Sequence, residues 1–244
     1  MLNKKLIIFF VFLLLIGGSF AAWRFMPLTV ENDTVTLRED LPPAPANYKA
    51  LNEDPATVAE LPEERLKQYR DEFAEVLKTI EEHPDSFTAW FNLGTIKSYL
   101  GDYTGAEEAW VYTGLLSPNQ GRTHMNLADL YANKLHNYEK AEQEYLKAIE
   151  VEGGQLERTR AYRELSSLYR FSFADRKSRA LDILRVGIES EQDNAELLAL
   201  AGMWAWQDGL LKEAEEFYVK YLEQNPSQEQ AEKDLAQIRQ QMKR

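Results

Sequence analysis

The hydrophobic residues at the start of the chain are contiguous, whereas those further along recur at intervals. After two lysines, the eighteen residues 6–23 carry no charge, and a helix of that length is about 27 Å long, close to the thickness of a bilayer core. This pattern predicts a transmembrane anchor within residues 1–24. The preceding lysines favour a cytoplasmic N-terminus and an extracytoplasmic position for the rest of the chain. A signal peptide cleaved near Ser19 and Ala21 is the alternative, and it leaves the remainder on the same side.

Residues 25–62 show no apolar period. Six of the nine prolines lie between Pro27 and Pro62, and acidic residues outnumber basic ones there. The stretch 41–46 (Leu-Pro-Pro-Ala-Pro-Ala) is typical of extended, polyproline-like chain. We therefore expect an acidic, proline-rich linker that separates the membrane from a folded domain.

From residue 63 onward, apolar residues recur at helical spacing. A leading helix is predicted over 63–83, with its apolar stripe formed by Leu66, Tyr69, Phe73, Leu77 and Ile80. A second one-sided helix is predicted over 227–244, from Ala231, Leu235, Ile238 and Met242. A single apolar stripe suits a helix that covers the last exposed face of a stacked array, so 227–244 is interpreted as a C-terminal capping helix.

Between these two helices the pattern repeats. Pro84 and Pro118 lie 34 residues apart, a period that belongs to stacked helical hairpins. Four units are predicted, at about 87–120, 121–155, 156–193 and 194–226. Small residues occupy equivalent places in their first helices, namely Gly94, Ala128, Ser166 and Gly202. A small side chain is what a close helix crossing requires.

The first unit carries a recognisable set of residues. Trp90, Leu93, Gly94, Ala106, Trp110 and Pro118 stand at its fourth, seventh, eighth, twentieth, twenty-fourth and thirty-second places. In this the chain resembles the tetratricopeptide repeat (TPR) family, of a membrane-anchored bacterial type. The resemblance implies an all-α fold, a right-handed solenoid of antiparallel helix pairs over residues 63–226. Lys97 departs from the family pattern, since the eleventh place usually holds tyrosine.

The resemblance also implies a binding surface, because the first helices of TPR units line a concave groove. Carried over place by place, the groove residues are Phe91, Asn92, Tyr99, Arg122, Met125, Asn126, Arg160, Arg163, Arg170, Met203 and Trp206, with Asp129 and Asn133 at further groove places. Residues 156–186 hold eight basic and four acidic residues. Such a basic island in the groove would attract an acidic segment or a carboxylate of a partner. The alternative is that these arginines are scattered and solvated.

The composition limits other functions. The net charge of −12 argues against nucleic-acid binding. With no cysteine and three histidines, little material remains for a metal site, and none is predicted. No catalytic or cofactor-binding motif occurs, so we expect neither an enzyme nor a cofactor.

Together these patterns predict a membrane-tethered, protein-binding TPR scaffold. It would act as an accessory or assembly factor on the extracytoplasmic side, in the periplasm or at the cell surface. The alternative is a stoichiometric structural subunit of a larger membrane-associated complex.

Overall fold

A computed structural model describes residues 42–151 and 154–244, and these ranges consist of α-helices joined by turns and irregular segments. The helices are α1 (Pro55–Ala59), α2 (Glu63–Glu82), α3 (Phe87–Tyr99), α4 (Tyr103–Leu116), α5 (Gly121–Asn133), α6 (Tyr138–Glu150), α7 (Gln155–Phe171), α8 (Arg179–Ser190), α9 (Ala195–Gln207), α10 (Leu211–Gln224) and α11 (Glu229–Met242). The predicted anchor at residues 6–23 lies outside the described residues. Within the described ranges, no helix combines the length and hydrophobicity that a membrane crossing needs.

Four consecutive helix pairs, α3–α4 to α9–α10, form a repeating array. Short turns join the helices of each pair, which makes them antiparallel neighbours. Side-chain caps begin several helices: Ser86 accepts from the Ala89 amide and Asp102 from the Gly105 amide. The prediction of an all-α, TPR-like helical repeat solenoid is confirmed.

The small residues do lie where paired helices cross. A Cβ on Gly94 of α3 would lie 2.5 Å from the Trp110 indole nitrogen of α4, and one on Gly202 of α9 would lie 3.0 Å from the Tyr218 ring of α10. Ala128 is likewise fully buried. These contacts position each first helix closely on its partner.

The C-terminal end of the array is covered by α11. Leu235 and Ile238 are buried in the same apolar core that runs from α4 through the later pairs. A separate N-terminal core is formed mainly by α2, α3 and α4. The array is therefore shielded from solvent at both described ends.

The N-terminal core also contains part of the predicted linker, which corrects its expected extent of 25–62. Tyr48 packs its ring 5.0 Å from that of Trp90. Leu51, Val58 and Leu61 pack against the N-terminal core. The apolar side chains between residues 48 and 61 thus pack on α2–α4, because their irregular spacing fits this end face, while many of the residues between them remain exposed.

Candidate functional site

A cleft of about 220 Å³ opens between α3 and α5. It is lined by Thr95, Ser98, Tyr99, Trp110, Asn126, Asp129, Leu130, Asn133 and Lys134. The first helices of two adjacent units thus form its walls, with one indole from α4 at its base. Most of these side chains are polar, so the cleft suits a ligand that forms hydrogen bonds.

Two side-chain amides in the cleft are free to bind. Asn126 and Asn133 are seven residues apart on α5, which places them on one helix face about 10 Å apart along the axis. Neither amide has a hydrogen-bond partner among residues 42–151 and 154–244. Each amide offers two donors and one acceptor, the groups that pair with a peptide main chain.

Aromatic side chains give the cleft rigid walls. Tyr99 is 52% exposed and stacks on Tyr69 of α2, with ring centroids 5.1 Å apart. The Trp110 indole donates to the Phe91 carbonyl at 3.1 Å, which fixes its orientation. The cleft therefore combines free amides with ordered aromatic surface.

The acidic group in the cleft is already engaged. The Asp129 carboxylate accepts a hydrogen bond from the Tyr145 hydroxyl at 2.8 Å and forms an ion pair with Arg160. Burial raises the pKa of Asp129, and the Arg160 guanidinium and the Tyr145 hydroxyl oppose that rise. Asp129 thus contributes to the wall of the cleft, and its charge is partly neutralised.

Two cations beside the cleft remain available. Arg122 lies over the Phe91 ring at 5.0 Å, and Lys134 over the Tyr103 ring at 5.5 Å. Neither forms an ion pair with an acidic residue in the described part of the chain. They lie twelve residues apart on and just after α5, roughly 18 Å along the helix.

The arginines of the third unit form ion pairs within the chain, whereas the sequence predicted an open basic surface for a partner. Arg163 pairs with Glu164 and Glu196, and Arg170 binds Asp208 at 2.9 Å. The other bases of residues 156–186 also have acidic partners: Arg158 with Glu191, Arg160 with Asp129, Arg176 and Arg179 with Glu142, Lys177 with Asp208, and Arg185 with Asp182 and Glu213. The basic island is therefore neutralised by the chain itself, and its ion pairs connect neighbouring units.

The predicted groove residues divide into several groups. Tyr99 and Asn126 line the cleft, Phe91 and Arg122 lie beside it, and Asn92 is half-buried nearby on α3. The assignment of Met125 to the groove is corrected, because it is 1% exposed and belongs to the core.

The remaining predicted groove residues lie on later units. On α9, Met203 is exposed, and the Trp206 indole donates to the Gln241 side chain at 3.0 Å. Two exposed residues were not predicted as groove residues from the sequence. Lys134 lines the cleft, and Phe171, next to Arg170, is 74% exposed. The positions of both follow groove places directly, which is the signal that could have found them.

No metal centre is visible in the described ranges, where no three His, Cys, Asp or Glu side chains are placed to share an ion. The site offers hydrogen bonds, aromatic surface and charge. These are the means of binding another molecule.

Comparisons with known proteins agree with this fold. Residues 121–154 match the family model described as tetratricopeptide repeat, which places one repeat on α5 and α6. No curated protein sequence matches the chain significantly.

Solved structures match over most of the described chain. YrrB, described as a TPR protein with an unusual peptide-binding site, is 18% identical, with 69% of this chain and 84% of that one covered and a TM-score of 0.50. MamA is 17% identical, with 66% and 92% covered and a TM-score of 0.52. PilF of Pseudomonas aeruginosa is 14% identical, with 73% and 85% covered and a TM-score of 0.51. The chain therefore has the fold of TPR proteins and contains a TPR repeat at residues 121–154.

Proposed function

We propose that this protein is a membrane-tethered scaffold that binds partner proteins through the cleft between α3 and α5. The observation that carries this proposal is the pair of unpartnered amides, Asn126 and Asn133, on one face of an open cleft. Asn126 is half-buried and Asn133 is exposed, so both amides are accessible to a ligand, and neither has to break a hydrogen bond within the described chain to bind one. An extended peptide supplies the matching main-chain groups.

The geometry of the cleft fits a short extended segment. A strand rises about 3.4 Å per residue, so the distance of about 10 Å between the two amides corresponds to the length of about three residues of an extended segment. Tyr99 and Phe91 provide aromatic contact area, which often dominates interface energies. Arg122 and Lys134 favour a segment with acidic side chains at its two ends, because each cation lacks an acidic partner in the described chain.

The name of one structural neighbour supports peptide binding. YrrB is described by its peptide-binding site, and the shared fold makes the same kind of ligand reasonable here. The cleft residues of this chain, rather than that likeness, define the ligand chemistry that we propose.

The uncharged residues 6–23 support the membrane tether, because a segment of this length that is retained can span a bilayer core. In the alternative, a cleaved signal peptide, the rest of the chain lies on the same side of the membrane without this tether. A retained anchor with a cytoplasmic N-terminus places the solenoid in the periplasm or at the cell surface. Tethering would raise the effective concentration of the cleft at partners in the same membrane. Comparing the mobility of the cellular protein with full-length and Ala22-start standards tests cleavage.

Charge reversal at the cleft tests the binding surface. A photocrosslinking residue at Thr95, which lines the cleft, captures the partner in intact membranes, and mass spectrometry identifies it. We expect the double variant Arg122→Glu, Lys134→Glu to reduce capture about tenfold, because each reversal repels an acidic segment.

A matched double variant, Lys212→Glu with Lys243→Glu, changes the net charge equally at exposed positions away from the cleft. Capture by this control should stay within about twofold of the original chain. Equal capture by the two double variants would contradict binding in the cleft.

A stoichiometric subunit of a larger complex remains the second candidate, and one observation favours it. Val111 and Leu115, one turn apart on α4, are 45% and 54% exposed. In a permanent complex this apolar surface would also be covered. Purification in mild detergent distinguishes the two, since a subunit is recovered with its partners in fixed whole-number ratios and an accessory factor is not.

A further inference from the structure

Residues 45–61, here called the strap, contact the solenoid in the way a bound peptide does. The Lys97 ammonium donates to the Ala50 carbonyl. The backbone N–H of Asn52 donates to the Asp102 carboxylate at 3.3 Å, and the backbone N–H of Asp54 donates to the Leu100 carbonyl at 2.9 Å. The solenoid thus binds main-chain groups of every second strap residue, as expected for an extended segment.

A buried ion pair lies at the centre of these contacts. Lys97 and Asp102 are 1% and 3% exposed, and the ammonium lies 2.9 Å from the carboxylate. An ammonium has three donors, and here one binds Asp102 and another binds the strap carbonyl. Without the strap, the charged pair would face the end of the solenoid with part of its hydrogen-bonding capacity unused.

The unusual lysine has a positional explanation. In the next two units the equivalent place holds Tyr131 and Tyr169, which donate to Glu107 and Glu142 of the preceding helix pair.

Glu107 lies eleven residues before Pro118. The residue eleven places before Pro84 is Phe73, so the helix that precedes the first unit has no glutamate at the corresponding position. The Lys97 ammonium lies over the Phe73 ring at 5.8 Å. A tyrosine at position 97 would find no carboxylate there, whereas the lysine with Asp102 offers a donor to the strap.

Side chains of the strap add specific contacts on both flanks. Tyr48 packs its ring 5.0 Å from Trp90. Glu53 accepts two hydrogen bonds from Arg70, at 2.7 and 2.6 Å. Main-chain bonds that provide affinity, together with side chains that provide specificity, are typical of peptide recognition by proteins.

We propose that the end face formed by α2, α3 and α4 is a peptide-binding site, separate from the cleft, and that the strap is its ligand within the same chain. The Lys97–Asp102 pair is the recognition element of this site. This proposal does not rest on the function proposed for the cleft, since it uses a different face of α3.

A nicked protein tests the site. The full chain, in detergent micelles, receives a protease site at the exposed turn around Glu60, between α1 and α2. After cleavage, a fluorescent peptide with the sequence of residues 42–61 is added, and its binding is followed by anisotropy and gel filtration. We expect the cut piece to stay bound or to exchange with the peptide. Loss of the cut piece without peptide binding would overturn the proposal.

Two lysine substitutions separate recognition from general charge effects. Lys97→Met in the chain should weaken peptide binding on the order of 100-fold, because it leaves Asp102 buried without its cation. Lys49→Met in the peptide removes an exposed pair with Glu81, and should change binding by less than about threefold. Equal effects of the two substitutions would contradict the role of the buried pair.

A substitution in the strap peptide serves as a control for the possibility that a solenoid variant misfolds. A peptide with Tyr48→Ala leaves the solenoid sequence untouched, and it should bind about tenfold more weakly because the contact with Trp90 is lost. If this peptide binds as well as the original, the end face does not recognise the strap in the proposed way.

Discussion

Asp129 shows how one residue connects the cleft to the stability of the array. Its carboxylate lies in the wall of the cleft and is held by Tyr145 from α6 and Arg160 from α7. Burial raises its pKa, while Arg160 and Tyr145 act in the opposite direction. The charged form of Asp129 is thus tolerated because three consecutive helices contribute to its environment.

Replacement of Arg160 therefore has a pH-dependent effect. Arg160→Met retains the stem of the side chain and should raise the pKa of Asp129 further. For an acid whose pKa is higher in the folded protein, stability is lost as pH rises through the folded pKa. We expect the variant to lose about 1 kcal/mol of unfolding free energy at pH 7, and less near pH 4, where a larger fraction of Asp129 is protonated.

Urea unfolding followed by circular dichroism at the two pH values measures this difference. The double variant Arg160→Met, Asp129→Asn has no carboxylate at this position, so its stability relative to Asp129→Asn should be independent of pH. An equal loss at both pH values for Arg160→Met alone would mean that Asp129 is not the responsible group.

At the scale of helices, the close crossing of α3 and α4 depends on the absence of a side chain at Gly94. A Cβ at Gly94 would lie 2.5 Å from the Trp110 indole nitrogen, and that indole donates to the Phe91 carbonyl. Gly94→Ala should therefore lower the free energy of unfolding by about 1–3 kcal/mol, because the ring has to move. Chemical denaturation measures the change.

Gly114, on α4, is the matched control. A Cβ there would find its nearest neighbour, a methyl carbon of Thr123, at 3.9 Å. Gly114→Ala should raise stability by up to about 1 kcal/mol, since alanine is favoured over glycine in helices. Equal effects at the two glycines would show that helix propensity rather than the crossing controls the response.

The helices could be predicted from the sequence because their information is local. Apolar residues at helical spacing and a small residue at each crossing, such as Gly94 and Gly202, recur with the repeat and predict α3–α4 and α9–α10 directly. The strap lacks such a pattern. Tyr48, for example, packs on Trp90, which lies 42 positions further along the chain, and local spacing does not reveal a contact of that separation.

The cleft was predictable in part for the same reason. Its position follows from the repeat, and two residues that the resemblance placed in the groove, Tyr99 and Asn126, line this cleft. The charges were not predictable, because the acidic partners of Arg163 and Arg170 include residues more than thirty positions away. A run of basic residues in sequence therefore did not produce a positive surface in space.

At the scale of the whole described chain, the two proposed binding sites and the C-terminal cap lie in different parts of the array. The cleft and the strap site both use α3, whereas α11 covers the last pair. Each helix pair packs mainly on its neighbours, so the array is close to one-dimensional in its energetics. A destabilising substitution at one end of the array is then expected to leave the local stability of the other end unchanged.

The cap helix allows this expectation to be tested. Ile238 is fully buried, and Ile238→Ala should cost about 2–4 kcal/mol of local stability by leaving a cavity under α11. Hydrogen exchange should accelerate in α10 and α11 and remain unchanged in α3 to α5, because no cleft contact depends on the last pair. Partner capture from the cleft should persist in the same variant. Uniform acceleration of exchange would instead show that the array unfolds as one cooperative unit, in which case any core mutation would weaken the cleft.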